Sequence, residues 1–293
     1  MNKLVRMISE DGTLYCLALD STEMVKEMQS IHNTSKVCSA ALGRLITGAS
    51  MMGVLLKGEK DTLTLKISGG GPASPVVAVA NSKGQVKGYV GDSRVNLPLN
   101  NKGKLDVSGA VGKDGFLTVI KDLGLKEPYC AQTPIISGEI AEDITAYYAT
   151  SEQTPTVCAL GVLVDPQTED VLLAGGFLIQ LLPTAGEDTI SLVEKSLENI
   201  KPVTTMLAEG LTPEQICETV LSEFSMQLLD TQNVEYRCDC STERVTRALI
   251  GAGEEGLREM AEDEQTEVCC HFCNKKYIFP REKILKLLKE ASI

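Results

Sequence analysis

Five of the ten cysteines fall in the last 57 residues, as Cys238, Cys240, Cys269, Cys270 and Cys273, and no other feature limits the fold as tightly. Two close pairs stand out, a C-x-C of Cys238 with Cys240 and a C-x-x-C of Cys270 with Cys273, separated by 29 residues. Structural zinc takes four ligands at tetrahedral corners, and two sulfur pairs from separate loops meet that demand with little backbone strain. Residues 237–293 also carry 21 charged side chains, and a domain of this size is marginal on hydrophobic burial alone. The four thiolates are therefore expected to bind one Zn2+ per chain and to hold the tail together. Cys269 with Cys273 is an alternative ligand pair, although the two-residue spacer of Cys270 and Cys273 fits the usual turn better. His271 lies between two ligands, so it is read as pointing to solvent.

A C-x-C pair is less usual in a purely structural site and suggests redox chemistry. Zinc keeps its sulfurs deprotonated and close together, so an oxidant meets thiolates, the nucleophilic form. Within each pair a sulfenic acid has a thiol beside it. Condensation then gives one disulfide from Cys238 with Cys240 and one from Cys270 with Cys273, and the metal is lost. Metal binding to a small zinc domain is folding free energy of about 10–16 kcal/mol, so oxidation is expected to unfold the tail. The other five cysteines, Cys16, Cys38, Cys130, Cys158 and Cys217, are isolated and mostly in apolar stretches, which reads as small buried hydrophobes.

Charge divides the chain into three regions. Residues 1–182 hold 19 acids and 16 bases, 183–236 hold 10 and 2, and 237–293 hold 11 and 10. The net charge of −12 leaves no broad surface for gripping nucleic-acid phosphates. With two histidines, His32 and His271, a three-histidine metal site cannot be built. The first twenty residues lack the apolar run of a secretory signal, and the longest apolar stretch, 37–56, carries Arg44 and several glycines. It reads as a buried helix rather than a membrane span, and a cytoplasmic protein is expected.

Strands are expected near 13–19, 62–67, 76–80, 85–90, 116–121, 135–139, 157–164 and 171–182, with a helix over 141–150. Together with the buried helix these define an α+β domain with an antiparallel sheet. Residues 183–236 read as an acidic helical linker. Ile190, Val193, Leu197 and Ile200 form one apolar stripe, and Thr212, Pro213 and Gln215 form a capping box ahead of Ile216, Val220 and Phe224. Such thin stripes suit either a permanently docked hairpin or a segment that detaches.

At Tyr236, Arg237, Cys238, Asp239, Cys240, Ser241, and at Cys270, His271, Phe272, Cys273 with Tyr277 and Phe279, the sequence resembles the thirty-three-kilodalton heat-shock protein family of redox-regulated holdase chaperones. The similarity extends to Ala41–Arg44, to KISGGGP at 66–72, to Gly103–Asp106 and to GGFLIQLLP at 175–183. The resemblance implies an N-terminal α+β domain (1–182), a helical linker (183–236) and a C-terminal zinc domain (237–293). It implies an ATP-independent chaperone, not an enzyme, inactive while reduced and zinc-bound. Oxidative stress would form the two disulfides at Cys238, Cys240, Cys270 and Cys273, release zinc and yield a homodimer that holds unfolding client proteins for an ATP-driven foldase. Cys269 has no counterpart in the family pattern.

Two other functions compete. A zinc-ribbon nucleic-acid binder would use Arg244, Arg247, Lys275, Lys276, Arg281, Lys283, Lys286 and Lys289, but eleven acids share the same region. A thiol-disulfide oxidoreductase would place C-x-x-C between a strand and a helix, a context this sequence lacks. No G-x-S-x-G elbow is present, and His32 is read as a surface residue. Gly69, Gly70 and Gly71 precede no Gly-Lys-Ser/Thr, so they read as a strand connection and not as a phosphate loop.

Overall fold

A computed structural model describes residues 2–291. The chain forms two compact units, residues 1–237 and residues 238–293. The first unit opens with β1 (Asn2–Ser9), β2 (Leu14–Asp20), α1 (Thr22–His32) and α2 (Lys36–Gly53). The strands β3 (Thr62–Gly70), β4 (Val76–Asn81) and β5 (Val86–Val90) follow, then the short α3 (Val107–Val111), β6 (Gly112–Asp122) and β7 (Tyr129–Pro134). Next come α4 (Ala141–Tyr147), which runs into a π-helical turn at Tyr148–Glu152, and β8 (Thr156–Val164) and β9 (Val171–Leu181). The unit closes with α5 (Glu187–Leu197), α6 (Val203–Ala208), α7 (Pro213–Val220) and β10 (Met226–Val234).

Two antiparallel five-stranded sheets result, ordered β10-β1-β2-β9-β8 and β5-β4-β3-β6-β7. Helix α2 packs against strands of both, and only Lys36 and Arg44 of its residues are not buried. Its small residues explain the fit, because a Cβ on Gly43 would press on Val25 and Val162 and one on Gly48 on Ile144. Among the described residues no helix is long and apolar enough to cross a membrane. The first sheet is apolar on both faces. Leu17 and Leu19 of β2 join the core around α1 and α2, while Leu14, Cys16 and Ala18 turn to the opposite face and pack with Val203, Met206, Ile216, Cys217 and Val220.

The acidic segment is thus docked on the outer face of the first sheet. Its last part departs from the helical expectation, since Met226–Val234 is a strand paired with β1 from Asn2↔Val234 to Ser9↔Met226. Only Val234 of that strand is buried, so its own side-chain pattern carries no strand signal; the backbone ladder to β1 holds it. The stripe in α5 is narrower than expected. Val193 is buried, whereas Ile190 is exposed. The capping box of α7 forms as expected, with Thr212 accepting from the Gln215 amide and Gln215 from the Thr212 amide.

The strand expected at 135–139 is instead a loop, and the neighbouring strand is Tyr129–Pro134. The reason is Asp143, buried at the start of α4. Its carboxylate accepts from the amides of Ile136 (2.8 Å), Ser137 (3.0 Å), Gly138 (3.4 Å) and Ile140 (2.9 Å), removing the donors a sheet ladder would need. The glycine run also differs from a loose connection. Gly69 and Gly70 end β3 in an irregular pairing with Gly112, and a Cβ on Gly112 (φ +82°) would overlap the Gly69 carbonyl oxygen.

The second unit contains α8 (Thr242–Gly251), α9 (Gly253–Met260), the hairpin β11 (Gln265–Cys269) and β12 (Lys276–Pro280), and α10 (Arg281–Ala291). It has a small core of its own. Val245, Leu249, Leu257, Ala261, Tyr277, Phe279, Ile284 and Leu287 are buried together.

Candidate metal centre

Each sulfur pair is placed by a local backbone device. Cys238 and Cys240 lie on the extended approach to α8, which Ser241 caps by accepting from the Arg244 amide at 3.3 Å. The Asp239 carboxylate between them is paired with Arg244 and so does not face the sulfurs as a free anion. Cys270 and Cys273 lie in the turn between β11 and β12. The Cys270 carbonyl accepts from the amides of Cys273 (3.3 Å) and Asn274 (2.8 Å), and the Cys270 amide donates to Lys275 (2.9 Å). Asn274 takes the left-handed conformation (φ +57°), which closes this tight turn.

These turns bring the four Sγ atoms to within 4.8 Å of one another. Across the two segments, Cys238 Sγ lies 3.7 Å from Cys270 Sγ and Cys240 Sγ 3.4 Å from Cys273 Sγ. A tetrahedron with metal–sulfur bonds of about 2.3 Å has edges of about 3.8 Å, so the sulfurs already stand near the spacing such a shell requires. All ten cysteines are free thiols. Four cysteines are thus placed to hold a metal ion. Cys269, the last residue of β11, is exposed and outside the group, as is His271.

Tyr277 was not among the expected site residues. Its side chain is buried on β12, and its hydroxyl donates to Cys240 Sγ at 3.0 Å. The alternation of Tyr277 and Phe279 on the inner face of β12 is the sequence signal for it. Burial works against ionisation of Cys240, yet hydrogen bonds from Tyr277 and the surrounding cysteines bring its thiol down to about 7. Burial pushes the Cys238 and Cys273 thiols up. The hydrogen bond to Cys240 likewise raises the Tyr277 phenol. A thiol lowered by the donors around it, among neighbours held up by burial, suits a sulfur cluster that gives up protons to bind a cation.

Of the five scattered cysteines, Cys16, Cys38 and Cys217 are buried and Cys158 is half-buried, but Cys130 on β7 is exposed. His32 is not simply a surface residue. It is half-buried, with Nε2 at 3.0 Å from the Tyr236 hydroxyl. The Cys270–Cys273 turn joins two antiparallel strands, not the strand and helix of a thioredoxin-like site.

Fold and site define a two-unit α+β protein whose C-terminal unit carries a four-thiol centre on two opposed turns. The chain belongs to the Hsp33 protein family, a family of chaperones, whose sequence model matches residues 2–280. It is similar to the 33 kDa chaperonin of Acetivibrio thermocellus, 49% identical over 98% of this chain and 96% of that one. A 33 kDa chaperonin of Clostridium perfringens (strain SM101) is 48% identical over 99% of this chain and 92% of its own. The crystal structure of the 33 kDa chaperonin (HSP33) of Thermotoga maritima superposes with a TM-score of 0.90 at 36% identity, covering 99% of both chains.

Proposed function

We propose that this protein is a redox-regulated, ATP-independent holdase whose switch is one zinc ion held by Cys238, Cys240, Cys270 and Cys273. The observation that carries this reading is the meeting of four free thiols within 4.8 Å in a small C-terminal unit of an Hsp33-family chain. When bound, zinc would supply a tetrahedral cross-link that keeps the four sulfurs deprotonated. The rest belongs to the chain. The approach to α8 and the β11–β12 turn converge at the sulfurs beside the buried core of this unit, so loss of the cross-link leaves a unit of marginal size to stand on that core.

Oxidation by peroxide proceeds in two equal events. In each, one sulfur attacks peroxide and becomes a sulfenic acid with release of one water; the partner thiol then displaces a second water and closes a disulfide. Two thiols lose two electrons and two protons to one peroxide, and two peroxides account for both pairs. The pairing Cys238 with Cys240 and Cys270 with Cys273 joins sequence neighbours, and all four sulfurs stand within 4.8 Å of one another.

Opening would propagate to the acidic segment 183–236. Release of α5, α6 and α7 uncovers Phe177, Ile179, Leu14 and Ala18 on the sheet and frees Val203, Met206 and Ile216, which offers apolar surface to an unfolding client. In this reading the active form is a cytoplasmic homodimer that yields its client to an ATP-driven foldase after reduction. The test is to measure zinc content and suppression of aggregation of a heat-unfolded client before and after peroxide. Zinc loss with a gain in suppression is expected; zinc loss with unchanged suppression overturns the coupling.

A further inference from the structure

We propose that Cys16 and Cys217 are a third oxidation site, an internal disulfide site that ties α7 to the first sheet. Cys16 lies on the outer face of β2 between Leu14 and Ala18, and Cys217 lies on the inner face of α7 between Ile216 and Val220. Helix α7 packs directly on β1 and β2. Both cysteines are fully buried in the same apolar cluster; the Cys16 thiol donates to the Leu17 carbonyl at 3.6 Å, and burial together with the neighbouring Cys217 thiol raises its pKa. No other scattered cysteine has this arrangement among the described residues. The Cys38 thiol donates to the Asp92 carbonyl at 3.3 Å, Cys158 is half-buried on β8, and Cys130 is exposed on β7.

The docked state protects the pair. Burial holds the Cys16 thiol in its protonated form, and the thiolate is the species an oxidant attacks. Once α7 lifts, Cys16 meets solvent and reacts with peroxide, giving a sulfenic acid and one water. When α7 returns, the Cys217 thiol displaces a second water and the sulfur–sulfur bond closes. Two thiols have then passed two electrons and two protons to one peroxide. The site stands on the packing of α7 alone, whereas its consequence rests on the function proposed above. If residues 183–236 must detach for activity, a Cys16–Cys217 bond locks them down, so prolonged oxidation would silence the molecule that brief oxidation had armed.

The experiment uses the full-length reduced protein, cycled in hydrogen peroxide between a temperature at which 183–225 is cleaved by protease and one at which it is protected. Alkylation in denaturant and peptide mapping follow. The expected result is a peptide pair joined through Cys16 and Cys217, separated by reductant and absent from both Cys16→Ser and Cys217→Ser, with cleavage in 183–225 slowed on the order of tenfold in the cross-linked fraction. Recovery of both cysteines as separately alkylated peptides, after cycles in which the segment demonstrably opened, overturns the proposal. The cross-link forming while zinc stays bound and aggregation suppression is unchanged would sink the tail switch and leave this site standing.

Discussion

The Nε2 atom of His32 lies 3.0 Å from the hydroxyl of Tyr236, bringing the end of α1 against the residue two positions ahead of the first cysteine of the cluster. Tyr236 is buried, its ring meets the His32 ring edge-on at 6.4 Å, and its hydroxyl donates to the Gly88 carbonyl (2.9 Å) while accepting from the Gly88 amide (3.2 Å). The amide of the next residue, Arg237, donates to the Val86 carbonyl at 2.8 Å. The boundary of the first unit is therefore an anchored backbone.

Tyr236→Phe keeps the ring and removes the hydroxyl that serves Gly88 and His32. A loss of about 1–3 kcal/mol is expected, because buried partners are left unsatisfied. Urea unfolding followed by a probe in the first unit checks it, and an unchanged midpoint would show that the hydroxyl carries no net stability.

Gly112→Ala should cost more than Gly124→Ala, although both glycines have positive φ. At Gly112 a Cβ collides with the Gly69 carbonyl; at Gly124 nothing lies within 4 Å. Backbone strain alone is worth about 1–3 kcal/mol, so Gly124→Ala reads that strain while Gly112→Ala adds the collision. Paired thermal melts separate the two, and equal losses would refute the close-approach argument.

Acid should weaken the contact of Glu152 with Lys121 and Tyr147. Burial opposes ionisation of Glu152, but the Lys121 ammonium at 2.7 Å and the Tyr147 hydroxyl outweigh it and hold the carboxyl below its usual 4.5. A depressed carboxylate contributes stability that is fully present above its unfolded value and is lost as pH falls through the folded one. Glu152→Gln is thus expected to cost on the order of 1 kcal/mol at pH 7, with the gap to the parent closing below about pH 4.5. Stability curves of the two proteins against pH measure this directly.

Removing metal from the reduced protein with a chelator should melt α8, α9 and α10 while leaving β1 to β9 of the first unit folded. Binding free energy of about 10–16 kcal/mol is large against what eight buried apolar residues supply. Amide exchange resolved by peptide reads the outcome; uniform protection of 242–290 after the metal is removed would contradict it.

The legible parts of this chain were those with local signals. The small-residue helix α2, the strands β3 to β6 and the capping box at Thr212 follow from periodicity and turn chemistry, and the four cysteines follow from spacing. Less legible were elements held by distant partners. β1 pairs with β10 from the other end of the first unit, and the polar face of β10 hides its state. The loop at 135–139 owes its form to one buried carboxylate, Asp143, that no pattern of apolar residues announces. At the site, spacing named the sulfurs but not the Tyr277 hydroxyl against Cys240.

The ladder from Asn2 to Val234 also sets an order of events at the ribosome. The first strand of this unit to be made waits for nearly its last, and until then its edge stays open to any extended chain nearby. A nascent molecule of this family is itself a candidate for rescue before it can offer any.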